Sequence, residues 1–279
     1  MEFIDQMNID LSIIISTYNR PSALRLVLEA ICVQIDQHDE IVIADDGSTL
    51  ETRHCIEKIK REFPDARIKH VWQEDRGFRL AQIRNLAVKK AEGQYLIFLD
   101  GDCVPSPSFV STHRCLQERG WLVYGQRILT SKFFCNELEQ SRVNMRSKKF
   151  WSLANMLKNK IQGNINRILP AVHWPYNLFR KQDPENWDNI RGCNWAVWKA
   201  DYERVNGSDE SFHGWGSEDK DLAVRLLNSG VRIKNGKFGP FVLHLWHKQE
   251  QRNGDSEKNR LVVKRRMDKT ILPTRGMFD

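Results

Sequence analysis

The chain has 279 residues, enough for one large α/β domain or two small ones, and its 41% hydrophobic and 28% charged content is that of a soluble globular protein. No apolar run in it is long enough to cross a bilayer as a helix. The net charge of +7 is concentrated between residues 140 and 182, which hold nine Lys or Arg and no acid; the remainder is slightly acidic, which argues against a protein-wide nucleic-acid surface and for a local contact with something anionic.

The first half alternates strand and helix signals. Leu11 to Ser16 is a β-branched run that reads as a buried strand, and Pro21 opens a helix with Leu24, Leu28 and Ile31 on one face. Glu40 to Ala44 predicts a second strand ending in Asp45-Asp46-Gly47-Ser48. Ser48 and Glu51 have capping-box spacing for a helix that stops before Pro64. Ile68 to Trp72 predicts a third strand, Leu80 to Ala91 a helix closed by Gly93, and Tyr95 to Leu99 a fourth strand. Ser106-Pro107 is a good start for a helix running to about Arg119, with a strand at Trp121 to Tyr124 after it. Such alternation implies a mostly parallel sheet that presents ligands at the carboxyl ends of its strands, where Asp45, Asp46, Asp100 and Asp102 all fall.

From about Thr130 the alternation stops. Phe150, Leu153, Leu157, Ile161, Ile165 and Ile168 recur at helical spacing among basic residues, a basic amphipathic segment over residues 142–169. Two readings stand: the apolar face packs on the same domain, or the segment meets an anionic membrane surface or acceptor. Asn194 to Trp198 resumes a strand, Ser217 caps a helix ending at Asn228-Ser229-Gly230, and Phe241 to Leu245 is a last strand running into His247. The charged tail from Ser256 to Lys269 is expected to be partly ordered at best. Cysteines 32, 55, 103, 115, 135 and 193 show no Cys-x-x-Cys pairing, so reduced thiols are expected, with Cys103 a small residue filling space.

Two motifs carry the chemistry. Asp100-Gly101-Asp102 follows an apolar strand, and paired carboxylates there suit Mg²⁺ or Mn²⁺ shared with substrate phosphates. His247, with His244 three residues earlier, can complete such a site beside Asp102. Asp45 and Asp46 can accept from a nucleoside, and of Arg76, Arg79 and Arg84 the last is the first choice for a diphosphate. The second motif is Gly214-Trp215-Gly216-Ser217-Glu218-Asp219. Trp215 can stack on a pyranose, and carboxylates in the first helical turn stay ionised and can act as a general base.

With Ser12 to Pro21, Asp45 to Ser48 and Leu99 to Asp102, the chain resembles the inverting family 2 glycosyltransferases of GT-A fold, an α/β fold with a mostly parallel central sheet flanked by helices. Arg191 to Ala196, Val205-Asn206-Gly207 and Gly214 to Asp219 resemble the C-terminal half of β-1,4-galactosyltransferases and bacterial chondroitin-type polymerases. The resemblance implies a nucleotide-sugar half over residues 1–129, a basic insert over 130–190, an acceptor and metal half over 191–255 and a tail over 256–279. It implies that Thr17, Arg20, Asp45, Asp46, Arg84, Asp100 and Gly101 contact a UDP-sugar, and that Asp102 and His247, with His244, hold Mn²⁺ or Mg²⁺. Asp219 would be the base, with Glu218, Trp215 and Gly216 at the acceptor. Expected partners are a saccharide acceptor, lipid-linked in one version, of a bacterial-type surface polysaccharide or lipopolysaccharide, and no nucleic acid.

Two rival classes are weaker. A sugar-nucleotide nucleotidyltransferase needs a Gly-rich basic loop after the first strand, where this chain has Ser16-Thr-Tyr-Asn-Arg-Pro21. A basic nucleic-acid-binding protein fits the pI of 9.1 but not the Asp-rich strand ends. The N-terminus lacks the basic and apolar regions of a secretory signal, so a cytoplasmic location is expected, peripheral to the inner membrane if the insert contacts lipid.

Overall fold

Why the first strand is buried follows from its sequence: every second side chain of an Ile-rich run must enter one of two cores. A computed structural model describes residues 10–172, 180–182, 187, 190, 192–248 and 255–279. In it, β1 (Leu11–Thr17) sends Leu11, Ile13 and Ile15 into one apolar core and Ile14 into a second on the other face. Each such Ile contributes roughly 1.5–3 kcal/mol by leaving water. The first half then runs α1 (Pro21–Cys32), β2 (Asp39–Asp45), α2 (Leu50–Glu62), β3 (Ile68–Trp72), α3 (Leu80–Lys90) and β4 (Tyr95–Asp100). β5 (Cys103–Pro105), α4 (Phe109–Leu116), β6 (Trp121–Tyr124) and β7 (Gln126–Leu129) follow.

The insert holds α5 (Lys132–Glu139), α6 (Leu153–Ile161), a short 3₁₀ turn (Leu169–Ala171) and β8 (Lys181–Gln182). The last part is β9 (Asn194–Trp198), α7 (Lys199–Arg204), α8 (Glu218–Asn228), β10 (Arg232–Asn235), β11 (Phe241–His244) and α9 (Asp255–Met267). The main sheet has the order β3-β2-β1-β4-β9-β6-β10-β8, and a small sheet has the order β5-β11-β7. Pairing is parallel across β3-β2-β1-β4 and between β6 and β10; β9 is antiparallel to both of its neighbours, as is β8 to β10. Helices α1, α2 and α4 cover one face, and α3, α7 and α8 the other.

Several local expectations need correcting. Thr49, not Ser48, is the N-cap of α2; the Ser48 hydroxyl instead accepts from the Asn19 N–H at 2.9 Å. Gly93 is not a left-handed cap, because α3 ends at Ala91; it lets the backbone pass Leu11 and Ser12, which a Cβ would approach to 2.6 Å. α4 starts at Phe109 behind Ser108, later than Ser106-Pro107 implied. The strands β5 and β7 were too short to leave a periodic signal.

The insert differs most. Only residues 153–161 of the apolar repeat form a helix, and Phe150 and Ile165 go to the core from outside it. α6 buries Met156 and Asn159, while Leu153, Leu157 and Ile161 are 53%, 46% and 78% exposed. Those three side chains face outward while Phe150, Ile165 and Ile168 of the same repeat pack on the core, so the packing reading holds for part of the segment. The tail is also more ordered than expected: α9 packs along α8. Its Arg265 donates to Asp209 and Asp221, both fully buried.

Candidate active site

β1 and β4 adjoin where the strand order turns back, so their carboxyl ends open a common crevice. Thr17 ends β1 and Asp100 ends β4. The Gly101 N–H donates to the Ser16 carbonyl at 2.7 Å, and a Cβ there would come within 2.8 Å of that oxygen and 3.2 Å of the Thr17 side chain. Glycine is what lets the Asp100–Asp102 turn close onto β1.

Asp102 faces two histidines and an arginine. His244 Nε2 lies 3.5 Å from its Oδ1, and His247 Nε2 3.6 Å from its Oδ2. Arg20 Nη1 donates to Oδ2 at 2.8 Å, and its Nη2 reaches Glu139 of α5 at 2.9 Å. Burial opposes the charge on Asp102, yet His244, Arg20 and His247 hold its pKa down to about 2. The histidines differ in tautomer, assigned from their hydrogen bonds. Arg127 Nη1 donates to His244 Nδ1 at 3.4 Å, so the His244 proton sits on Nε2, 3.2 Å from His247 Nε2 and 3.5 Å from Asp102 Oδ1. His247 Nδ1 lies 3.0 Å from the Lys248 carbonyl, which can only accept, so its lone pair is on Nε2. Asp102 and His247 thus offer oxygen and nitrogen lone pairs toward one point, a donor set that fits a Mn²⁺-class ion. His244 offers an N–H there instead.

Behind this turn, Arg84 is 2% exposed. It donates to Ser16 Oγ at 3.1 Å, Asp100 Oδ1 at 2.9 Å and the Gly192 carbonyl at 3.1 Å. Burial pushes Asp100 up to about 6 against the pull of Arg84. Farther along the crevice, Asp45 accepts from the Ser48 N–H at 2.8 Å and faces His70 Nε2 at 2.9 Å. Asp46 accepts from the Arg79 N–H at 2.8 Å and from Gln73, and burial raises its pKa. Arg79 turns its guanidinium to the Glu74 carbonyl and Gln82, and Arg76 pairs with Glu74 in solvent. Of the three arginines, Arg84 is the one brought beside Asp100.

The acceptor motif reaches the same place from the other side. Gly192, just before β9, accepts from Arg84 and donates its N–H to Asp219 Oδ2 at 2.7 Å; the Lys220 N–H meets Oδ1 at 2.8 Å. Gly192 thereby ties Arg84 to Asp219. A Cβ at Gly192 would come within 3.0 Å of the Asp219 side chain. Glu218 Oε2 is buried without a hydrogen-bond partner among the described residues, and burial, reinforced by Asp219, pushes this acid upward. Trp215 is 38% exposed, and Gly216 and Ser217 both take left-handed backbone, φ 102° and 71°. Ser217 occupies the N-cap position of α8, but its hydroxyl donates to Asn259 rather than capping.

The chain matches the family model described as glycosyl transferase family 2 over residues 12–183, and one described as N-terminal domain of galactosyltransferase over residues 177–248. The chain belongs to glycosyl transferase family 2. It is an α/β glycosyltransferase of GT-A fold, with a mostly parallel central sheet. It is 30% identical to a chondroitin synthase of Escherichia coli over 93% of this chain and 38% of that protein, so it spans well under half of that relative. Its fold is similar to GalNAc-T7 with UDP, GalNAc and Mn²⁺, at a TM-score of 0.62 and 15% identity over 93% of this chain and 48% of that one. It is also similar to S. aureus TarS 1-349 in complex with UDP-GlcNAc, at a TM-score of 0.60 and 16% identity over 93% and 69%.

Sequence reasoning missed the residues that hold the Gly214–Ser217 loop. Lys258 Nζ donates to the Gly214 and Trp215 carbonyls at 3.2 and 3.3 Å, and Asn259 meets Ser217 at 3.0 Å. Both Lys258 and Asn259 sit on α9, whose charged sequence has no apolar stripe and so looked like a tail. Val205-Asn206-Gly207 lies away from the crevice; Asn206 pins Met277 and Phe278, and Arg225 takes the Val205 and Gly207 carbonyls. Arg191 of the quoted motif is outside the described residues.

Proposed function

We propose that the chain transfers a hexose or N-acetylhexosamine from a UDP-sugar to a saccharide acceptor, with inversion and with Mn²⁺ or Mg²⁺ held by Asp102 and His247. The observation that carries this reading is the chain of hydrogen bonds from Asp100, two residues before Asp102, through Arg84 and Gly192 to Asp219, which brings the two acidic motifs to one crevice. Relatives described as a chondroitin synthase and a hyaluronan synthase support a polysaccharide or lipopolysaccharide product, and neighbours holding UDP-GlcNAc or UDP with Mn²⁺ support the donor and the ion.

In this reading Thr17, Asp45 and Asp46 line the nucleoside end, and Gly101 leaves room beside the phosphates. Arg84 fixes Asp100 and keeps a positive charge beneath them. Arg20, now on Asp102, is within reach of the diphosphate. A divalent ion, when bound, neutralises charge on the departing nucleoside diphosphate. Asp219, held by two backbone N–H groups, takes the acceptor proton as its oxygen attacks C1 from the opposite face. Glu218 receives the acceptor hydroxyls and Trp215, beside Gly216, stacks on the sugar. His244 in this reading donates to Asp102 and is not itself a ligand. A second assignment, Glu218 as base, is favoured by its unpartnered Oε2 and raised pKa.

Calorimetry with UDP tests the ion and donor together. Wild type should bind UDP more tightly with Mn²⁺ than with EDTA, and Asp102→Asn should lose that difference. Equal binding in both conditions would contradict the assignment.

An anionic membrane surface fits the insert, consistent with a lipid-linked acceptor and a peripheral cytoplasmic location. On α6 the outward Leu153, Leu157 and Ile161 are bracketed by exposed Lys158 and Lys160. None of Lys148, Lys149, Lys158 and Lys160 has an acidic partner among the described residues. No helix of the described residues is long and apolar enough to cross a membrane. Leu157→Glu should weaken binding to anionic vesicles at low salt; wild-type protein that ignores such vesicles would end this part of the reading.

A further inference from the structure

We propose that Asp100, Cys103 and Cys193 form a second metal site, which takes a borderline or soft divalent cation such as Zn²⁺ and is distinct from the oxygen and nitrogen position at Asp102 and His247. The sequence alone left Cys103 as a space-filler and Cys193 without comment. The fold brings them together: Cys103 opens β5, Cys193 precedes β9, and the Asp100 N–H ties the two strand ends by donating to the Cys193 carbonyl at 3.2 Å. A carboxylate oxygen of Asp100 and both sulfurs lie within 4.8 Å of one another.

The donor set is what separates this position from its neighbour. Two thiols and one carboxylate match zinc-type coordination, whereas Mn²⁺ and Mg²⁺ prefer oxygen. Tetrahedral zinc with bonds of about 2.3 Å to sulfur and 2.0–2.2 Å to oxygen spaces its ligands roughly 3.5–4 Å apart, so the donors need to close by at most about 1.3 Å. Both cysteines are buried and sit at the ends of strands, so little ordering remains to be done on binding. Arg127 Nη1 lies 4.0 Å from Cys193 Sγ. Arg84 takes one oxygen of Asp100, and a carboxylate has two. A third of the Asp100 side chain meets solvent, which gives a cation its way in from the crevice.

Coordination replaces the thiol protons, which leave to solvent, so uptake of one cation releases up to two protons. It also removes the Cys103 hydrogen bond to Asp102 Oδ1, which spans 3.6 Å.

Co²⁺ is the probe, because sulfur-to-cobalt charge transfer absorbs in the near ultraviolet and reports thiolate ligation without any turnover. Titrating the reduced full chain should raise that band to saturation at one equivalent, and Zn²⁺ should abolish it while Mn²⁺ should not. Cys193→Ala and Cys103→Ala should each remove most of the band, and Cys115→Ser, at an exposed thiol, should keep it. A single cooperative thermal transition in each of the two alanine variants, without Zn²⁺, shows that they are folded. No charge-transfer band in wild type, or a band that persists in folded Cys193→Ala, overturns the proposal.

Discussion

At the end of the crevice proposed for the donor, Thr17, Asp45 and Asp100 each terminate a strand, and the parallel register of β2, β1 and β4 aligns those ends. At the end proposed for the acceptor, Glu218 and Asp219 begin a helix whose preceding loop takes left-handed backbone at Gly216 and Ser217 and is held from outside by α9. The first end is made by neighbouring backbone; the second depends on side chains some forty residues downstream. A site of the first kind tolerates changes in distant helices, and one of the second kind does not. Both meet at Gly192, whose carbonyl faces Arg84 and whose N–H faces Asp219.

The largest expected effect separates the ends by chemistry. Asp219→Asn should lower transfer by roughly 10²–10⁴-fold, the range for a general base, while leaving UDP and Mn²⁺ binding intact. Steady-state kinetics beside calorimetry checks this. If Asp219→Asn transfers normally and Glu218→Gln does not, Glu218 is the base.

A structural cut at the acceptor end comes next. Arg265→Met leaves Asp209 and Asp221 buried without that partner, which should destabilise the fold by about 3–5 kcal/mol in denaturant titration. In the folded protein the acceptor KM should rise while UDP affinity holds. Equal damage to both would erase the contrast between the ends.

Acid should loosen the same joint. Burial works against the Asp209 charge, but the Thr274 and Ser211 N–H groups and Arg265 hold its pKa down to about 2. Its folded value is thus depressed, so its contribution of roughly 2 kcal/mol is present above the unfolded pKa near 4 and is lost as pH falls toward 2. Stability measured across that window should fall, and Asp209→Asn should flatten the slope.

The smallest test is local. Lys258→Ala removes a charged donor from the Gly214 and Trp215 carbonyls and should raise acceptor KM about 10-fold, with kcat less affected. An unchanged acceptor KM would mean that the loop keeps its shape without α9.

The same contrast explains what could be read from the chain. Strands β1 to β4 and the turn at Asp100 to Asp102 were legible because β-branched runs and the acids that end them are contiguous in sequence. The docking of α9 was not, since Arg265 finds Asp209 and Asp221 only in the folded chain. The apolar spacing of Leu153, Leu157 and Ile161 was visible, but a helical period is the same whether its stripe faces in or out. The roles open to His244 and His247 turned on Arg127 and the Lys248 carbonyl, contacts that spacing does not encode. Arg20 was assigned toward the nucleotide sugar, and its pairing with Asp102 and Glu139 joins residues more than eighty positions apart.

Release of UDP from a small panel of UDP-sugars, without acceptor and with either Mn²⁺ or EDTA, tests the central claim most directly. Slow release from one sugar, present with Mn²⁺ and gone with EDTA, is the predicted result, and it names the donor. Release that EDTA leaves unchanged would contradict the metal-dependent UDP-sugar transferase described above.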